Sequence, residues 1–133
     1  MKILLIGEVM IDRNIHTVTN RMCPEDENLP VYKVLNENIK IGGAGNVAIN
    51  LSKLNNEVYL FSYIGNDFYG NILKELLEQH NIKFNLKVTE HNPTIVKNRI
   101  FSKKKLVNRF DIEKTNEINI TNDIVKFLKN MKV

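Results

Sequence analysis

The sequence is poor in the residues that staple or punctuate small proteins: one cysteine (Cys23), three prolines and no tryptophan in 133 residues. One cysteine cannot close an internal disulfide, which argues against a disulfide-framed secreted scaffold and predicts a reducing, cytoplasmic setting. No apolar run approaches the ~20 residues of a membrane span, so no membrane association is expected. The run at residues 3–6 is too short for a signal peptide and has no small-residue cleavage site behind it. His16, His80 and His91 are scattered without metal-ligand spacing and read as ordinary residues. Charge of one sign is also scarce, with a formal net charge of +4. The excess is gathered in Lys97, Arg99, Lys103, Lys104, Lys105 and Arg109. With no recognition motif and no interleaved aromatics, nucleic acid is not the expected partner. The consecutive lysines read as a solvated hairpin tip. Lys97, Arg99 and Arg109 remain candidates for a small phosphorylated ligand.

What is present is the make-up of one globular domain, 43% apolar and 26% charged. The stretch IGGAGNVAINL (41–51) organises it. Gly42, Gly43 and Gly45 permit positive φ and close approach of a ligand. Behind them Ala44, Val47, Ala48, Leu51 and Leu54 recur at helical spacing, so a tight turn opens a helix. Unpaired N–H groups and the positive end of the helix dipole then face whatever binds there, which suits oxygen-rich ligands. Asn46 adds an amide that both donates and accepts, as a sugar hydroxyl requires. A glycine turn used only to pack a helix on a strand fits the same spacing.

Along the chain, residues 3–6 read as a strand of a parallel sheet buried on both faces, with Glu8 and Asp12 just past its end. Residues 14–18, 31–35 and 38–41 read as short half-polar strands of a small antiparallel sheet, separated by a proline-broken loop over 20–30. After the glycine turn and its helix, Asn55 and Asn56 stop that helix, and 57–64 form a second strand. Asp67 is placed to cap a helix reaching about His80, its apolar face built from Ile72, Leu73, Leu76 and Leu77. Ile82, Phe84, Leu86 and Val88 alternate as a strand with one polar face. Residues 94–101 and 106–111 read as a hairpin, with Lys97 and Arg99 on one face of the first arm and Arg109 and Asp111 on one face of the second. Arg109 and Asp111 are equally able to pair with each other. Thr121 is expected to cap a last helix holding Ile124, Val125, Leu128 and Met131.

These motifs, in order, resemble the N-terminal part of the ribokinase-like (PfkB) carbohydrate kinases, and within them the heptose 7-phosphate kinase domain of bifunctional ADP-heptose synthesis proteins. GEVMIDR (7–13) is similar to the family's GDVMLDR, and TNRMCPE (19–25) with Pro30 and Val31 to its T-S-R-x-S-P-E-x-P-x-P-V. GGAGNVAIN (42–50) resembles GGAANVAMN, and IGNDFYG (64–70) resembles G-x-D-x-x-G. PTIVKNR (93–99) and RFDIE (109–113) resemble PT-x-x-K-x-R and R-x-D-x-E. The resemblance implies a three-layer α/β/α ribokinase-like fold, cut after its N-terminal half, with a small β-sheet lid over about 14–41 and the αβ core in 1–12 and 42–133. It implies transfer of the γ-phosphate of ATP, with Mg²⁺, to a sugar hydroxyl, and a lid that also serves in dimerisation. Asp12 and Asn46 would hold sugar hydroxyls beside Gly42 and Gly43. Lys97, Arg109 and Arg99 would hold a phosphate already on the sugar.

The sequence departs from the family at Glu8 (Asp in the family), at Cys23 (Ser), and at Lys105 and Leu106, where the heptose kinases usually carry glutamines. The second family signature, D-T-x-G-A-G-D, supplies the anion hole and catalytic Asp, and no counterpart occurs in these residues. Gly43-Ala44-Gly45-Asn46 imitates it, but an amide cannot take a proton from a hydroxyl. The expectation is a sugar-binding half that holds no ATP or Mg²⁺ site, lacks kinase activity alone, and pairs with itself or with a separately encoded C-terminal half. Two other readings are a non-catalytic sugar-binding or dimerisation module and a dinucleotide-binding oxidoreductase fragment. Gly43-x-Gly45-x-x-Ala48 and Asp67 fit the latter, but residues 36–40 are too polar for the central strand it needs.

Overall fold

A computed structural model describes residues 1–113 and 117–131. The chain order is β1 (Lys2–Ile6), β2 (Val9–Cys23), β3 (Asp26–Gly43), α1 (Ala44–Lys53), β4 (Glu57–Gly65), α2 (Phe68–Gln79), β5 (Lys83–Thr89), β6 (Val96–Ser102), β7 (Lys105–Ile112) and α3 (Thr121–Asn130). Two sheets form. β1-β4-β5 is parallel throughout, and β3-β2-β6-β7 is antiparallel except for the parallel β2–β6 pair.

The parallel sheet is built where the sequence is apolar. Val58, Leu60 and Ile64 of β4 pack with Ala48 of α1 and with Leu73 and Leu77 of α2, all in one buried cluster. Phe61 points to the opposite face by strand alternation, and there its ring meets Phe127 of α3 with centroids 5.3 Å apart. Helices therefore lie on both faces of β4, as a parallel sheet requires. Val9 and Ile11 of β2, Ile41 of β3 and Val96 of β6 join the same cluster, fusing the second sheet to the first.

Local sequence explains the joints. Asp67 caps α2 as its position predicts, its side chain accepting from Gly70 N at 2.8 Å and from Thr94 N at 2.8 Å. Asn55 ends the first helical stretch in the left-handed region at φ 60°. Lys103 and Lys104, at φ 49° and 63°, make the tight turn between β6 and β7.

The structure corrects several sequence expectations. The small polar sheet is not confined to 14–41: β2 and β3 are continuous strands, and the basic hairpin β6–β7 completes their sheet. The expected loop at 20–30 shrinks to a turn between Cys23 and Asp26, with Pro30 carried in β3 opposite Met22 at a register shift. Proline is tolerated there because β3 is an edge strand and the bulge leaves no ladder bond to lose. β1 is half-buried, with Lys2 and Ile6 exposed, because among the described residues it is an edge strand paired with β4 alone. Val88 of β5 is 43% exposed although the alternation assigns it inward. Thr121 is the first residue of α3 and not its cap; its N–H donates to Asn119 Oδ1.

Candidate functional site

Strand alternation divides β2 into two faces. Val9, Ile11, Ile15 and Thr17 turn inward and are buried, so Asp12, Asn14 and His16 turn to the other side. The register carries that face across the sheet. Asp12 lies beside Lys97, and Lys97 opposite Asp111; one step along, Asn14 lies beside Arg99, and Arg99 opposite Arg109. A further step places His16 beside Phe101, their rings stacked with centroids 5.4 Å apart.

The charges on this face are matched. Arg99 Nη1 donates to Asp12 Oδ1 at 2.9 Å. Arg109 donates through Nε and Nη2 to the two oxygens of Asp111, each at 3.0 Å, and Lys97 Nζ reaches Asp111 Oδ2 at 3.1 Å. Lys97 also donates to Glu113. These bonds hold the Asp111 carboxyl below its ordinary pKa, chiefly through Arg109. They raise Lys97 through Glu113 and Arg109 through Asp111. Lys97, with Glu8, Met10, Ile95 and Glu113, lines a cleft of about 130 Å³.

The glycine bend closes one end of this face. A Cβ on Gly42 would run into Asp12 Oδ2 and lie 2.9 Å from Met10 Cγ. Gly43, at φ 59°, adopts a conformation L side chains avoid, and its own Cβ would strike the Glu8 carbonyl. That carbonyl accepts Ala44 N–H at 2.8 Å, so the end of β1 is tied to the start of α1. Asn46 stands exposed in the first turn of α1. The first turn of α1 carries no acid. Among the described residues no group of three or more His, Cys, Asp or Glu is arranged to hold a metal ion.

Behind the sheet, Arg13 joins three elements. Its Nε donates to Glu37 Oε2 of β3 at 2.6 Å, and its Nη1 lies 3.2 Å from Tyr69 OH of α2 and 3.4 Å from Asn98 Oδ1 of β6. A larger, apolar recess of about 550 Å³ lies elsewhere, between β1 and α3, lined by Ile3, Leu4, Tyr59, Phe127 and Leu128 among others. None of the predicted site residues lines it.

The structure thus puts Asp12, Gly42, Lys97, Arg99 and Arg109 on one connected face, with Gly43 and Asn46 following at its glycine end. Sequence reasoning missed Glu113 as a partner of Lys97, and it missed Arg13 and Asn14. The available signal for Asn14 was its place two residues after Asp12, which in a strand means the same face. Arg13 and Glu37 carry no such local signal, because register alone brings β2 and β3 together.

Residues 1–129 match the profile described as pfkB family carbohydrate kinase. The chain belongs to that family. Among curated relatives of this pfkB chain, the bifunctional protein HldE of Haemophilus influenzae (strain PittEE) is 42% identical over 112 residues, covering 84% of this chain and 23% of HldE. The chain spans about a quarter of the length of the curated relatives it matches. A carbohydrate kinase from Agrobacterium tumefaciens superposes with a TM-score of 0.63 at 26% identity, over 83% of this chain and 34% of that one. Ribokinase from Cryptococcus neoformans var. grubii serotype A, solved in complex with ADP, gives 0.61 at 18% identity, over 90% and 38%. The fold is ribokinase-like. No helix among the described residues is long and apolar enough to cross a membrane.

Proposed function

We propose that this chain is the sugar-binding half of an ATP-dependent carbohydrate kinase whose substrate is a phosphorylated sugar such as heptose 7-phosphate. The observation that carries this reading is the pairing of Arg99 directly opposite Arg109, one step along the sheet from Asp12 and the glycine bend. Like charges directly opposed across strands are destabilising unless something anionic lies between them. Each guanidinium keeps N–H groups beyond those used on Asp12 and Asp111, in a geometry suited to phosphate oxygens. Asp12, with Asn46, takes the hydroxyls. Lys97 is held by Asp111 and Glu113 and serves the phosphate less directly than the two arginines do.

The motif resemblance to heptose 7-phosphate kinase domains favours a heptose phosphate, while the departures at Lys105 and Leu106 bear on which sugar fits. In this reading the described residues are the N-terminal part of one ribokinase-like domain, and ATP and Mg²⁺ bind to the part of the kinase these residues do not span. The donor set supports that assignment: the glycine turn has an amide, Asn46, where proton abstraction needs a carboxylate. The chain works in the cytoplasm, and it associates through the lid sheet or with polypeptide supplying the C-terminal half. The free edge of β1 and the apolar recess beside α3 also suit an assembly module. A dinucleotide site is disfavoured because the strand entering the glycine turn, β3, runs antiparallel to β2 and belongs to the lid.

Calorimetric titration of the purified chain with heptose 7-phosphate tests the proposal. Saturable binding, with no ATP-dependent phosphorylation, is expected. Absence of binding, or turnover by the chain alone, overturns it.

A further inference from the structure

The side chain of Asn14 has no place in the charge network, yet its Oδ1 is buried and accepts no hydrogen bond among the described residues. Leaving a buried acceptor without a donor is destabilising, so its presence calls for a reason. Asn14 is the register partner of Arg99, on the same face of the sheet. Directly paired residues have their Cβ atoms about 4.5–5.5 Å apart, within easy reach of a guanidinium. Arg99 instead extends back along the strand to Asp12. Its side chain is 29% exposed, and among the described residues no second acceptor holds it.

We infer that Asn14 is a positioning residue for Arg99, which exchanges Asp12 for Asn14 when a phosphorylated sugar enters. This rests on the substrate reading above. A hydroxyl that donates to Asp12 competes for the carboxylate oxygen that Arg99 now holds. Released from Asp12, Arg99 donates to the waiting Asn14 Oδ1 and turns its remaining N–H groups toward Arg109, where the phosphate lies. The polyol end and the phosphate end of one substrate are thereby coupled. A sugar without phosphate offers a hydroxyl but no anion, so nothing draws Arg99 toward Arg109 and it stays on Asp12. An inorganic phosphate meets the arginines but leaves Asp12 holding Arg99.

The test compares heptose 7-phosphate, the dephosphorylated heptose and inorganic phosphate on the wild-type chain and on Asn14→Leu, which keeps the bulk and removes the acceptor. Asn14→Leu is expected to weaken heptose 7-phosphate about two- to tenfold, the worth of one hydrogen bond, and to leave the dephosphorylated heptose unchanged. Equal losses for both sugars, or no loss for either, overturn the inference. Asp12→Asn is the control: it weakens both sugars if the substrate reading is right. No binding by wild type to any of the three defeats that reading itself. Should Asn14→Leu fail to fold, the side-chain amide signals of Asn14 in the wild-type chain decide. They shift on addition of heptose 7-phosphate and not with the dephosphorylated sugar; an unmoved signal with both sinks the exchange.

Discussion

Arg99 and Arg109 face each other as Cα partners across β6 and β7, each tied to a different aspartate: Arg99 to Asp12 of β2, Arg109 to Asp111 of its own strand. This pair of cations, paired across the strands and each drawn to its own carboxylate, is the arrangement on which the phosphate proposal rests.

Removal of one guanidinium should therefore cost phosphate recognition and little else. Arg109→Ala lies on an exposed edge strand, so its melting temperature should stay near that of the wild type. Affinity for heptose 7-phosphate should fall about tenfold, as expected for charge-assisted bonds at a partly exposed site. Calorimetry with the dephosphorylated heptose should show no change; a matching loss there would place the phosphate elsewhere.

Gly42→Ala probes the hydroxyl end. The position has no left-handed φ, so the added methyl is resisted by the Asp12 carboxylate and Met10 and not by the backbone. Displacing Asp12 should weaken the phosphorylated and dephosphorylated sugars alike, by roughly tenfold, with a stability loss of about 1–3 kcal/mol from overpacking. Wild-type affinity in a folded Gly42→Ala chain would remove Asp12 from the site.

Asp67 sets an acid limit on stability. Burial alone would raise its pKa, but the N–H groups of Thr94 and Gly70 outweigh it and hold the carboxyl below its ordinary value. Its contribution is therefore fully present above the unfolded value of about 3.9 and is lost as pH falls through the folded one. Asp67→Ala should destabilise by about 1–2 kcal/mol at neutral pH, as loss of a helix cap does. Urea titrations at a series of pH values should show the gap to the wild type closing below about pH 4.

The turn between β6 and β7 holds Lys103 and Lys104 at positive φ. Both are exposed, so neither is kept for packing. Lys104→Gly should relieve that conformation and stabilise the chain by roughly 0.5–1 kcal/mol, visible as a higher urea midpoint with unchanged slope. A lower midpoint would mean that the lysine makes a contact in solution that outweighs the relief.

The elements most legible in the sequence were those governed by local chemistry. The Asp67 cap, the asparagine stop after the first helix, the lysine turn and the glycine bend are decided within a few residues, and the structure has each where its residues call for it. The extent of the polar sheet was misread because its strands are long and polar. Pro30 and the acidic pair Asp26 and Glu27 look like loop when read alone, and only the pairing of β3 with β2 makes them strand. The site was half legible for the same reason. Asp12 and the basic residues stand out by type, but their pairing depends on register.

By itself, the order of apolar and polar residues determined the parallel β1-β4-β5 core and its helices, because periodicity and turn chemistry act over a few residues, and the ordered motifs carried the resemblance to the pfkB kinases. Tertiary structure alone decided that β6–β7 completes the sheet of β2 and β3, that Arg99 meets Asp12 across 87 positions of sequence, and that Asn14 Oδ1 meets no donor among the described residues. Strand register between distant segments sets those outcomes, and a one-residue slip would turn every one of these side chains to the opposite face.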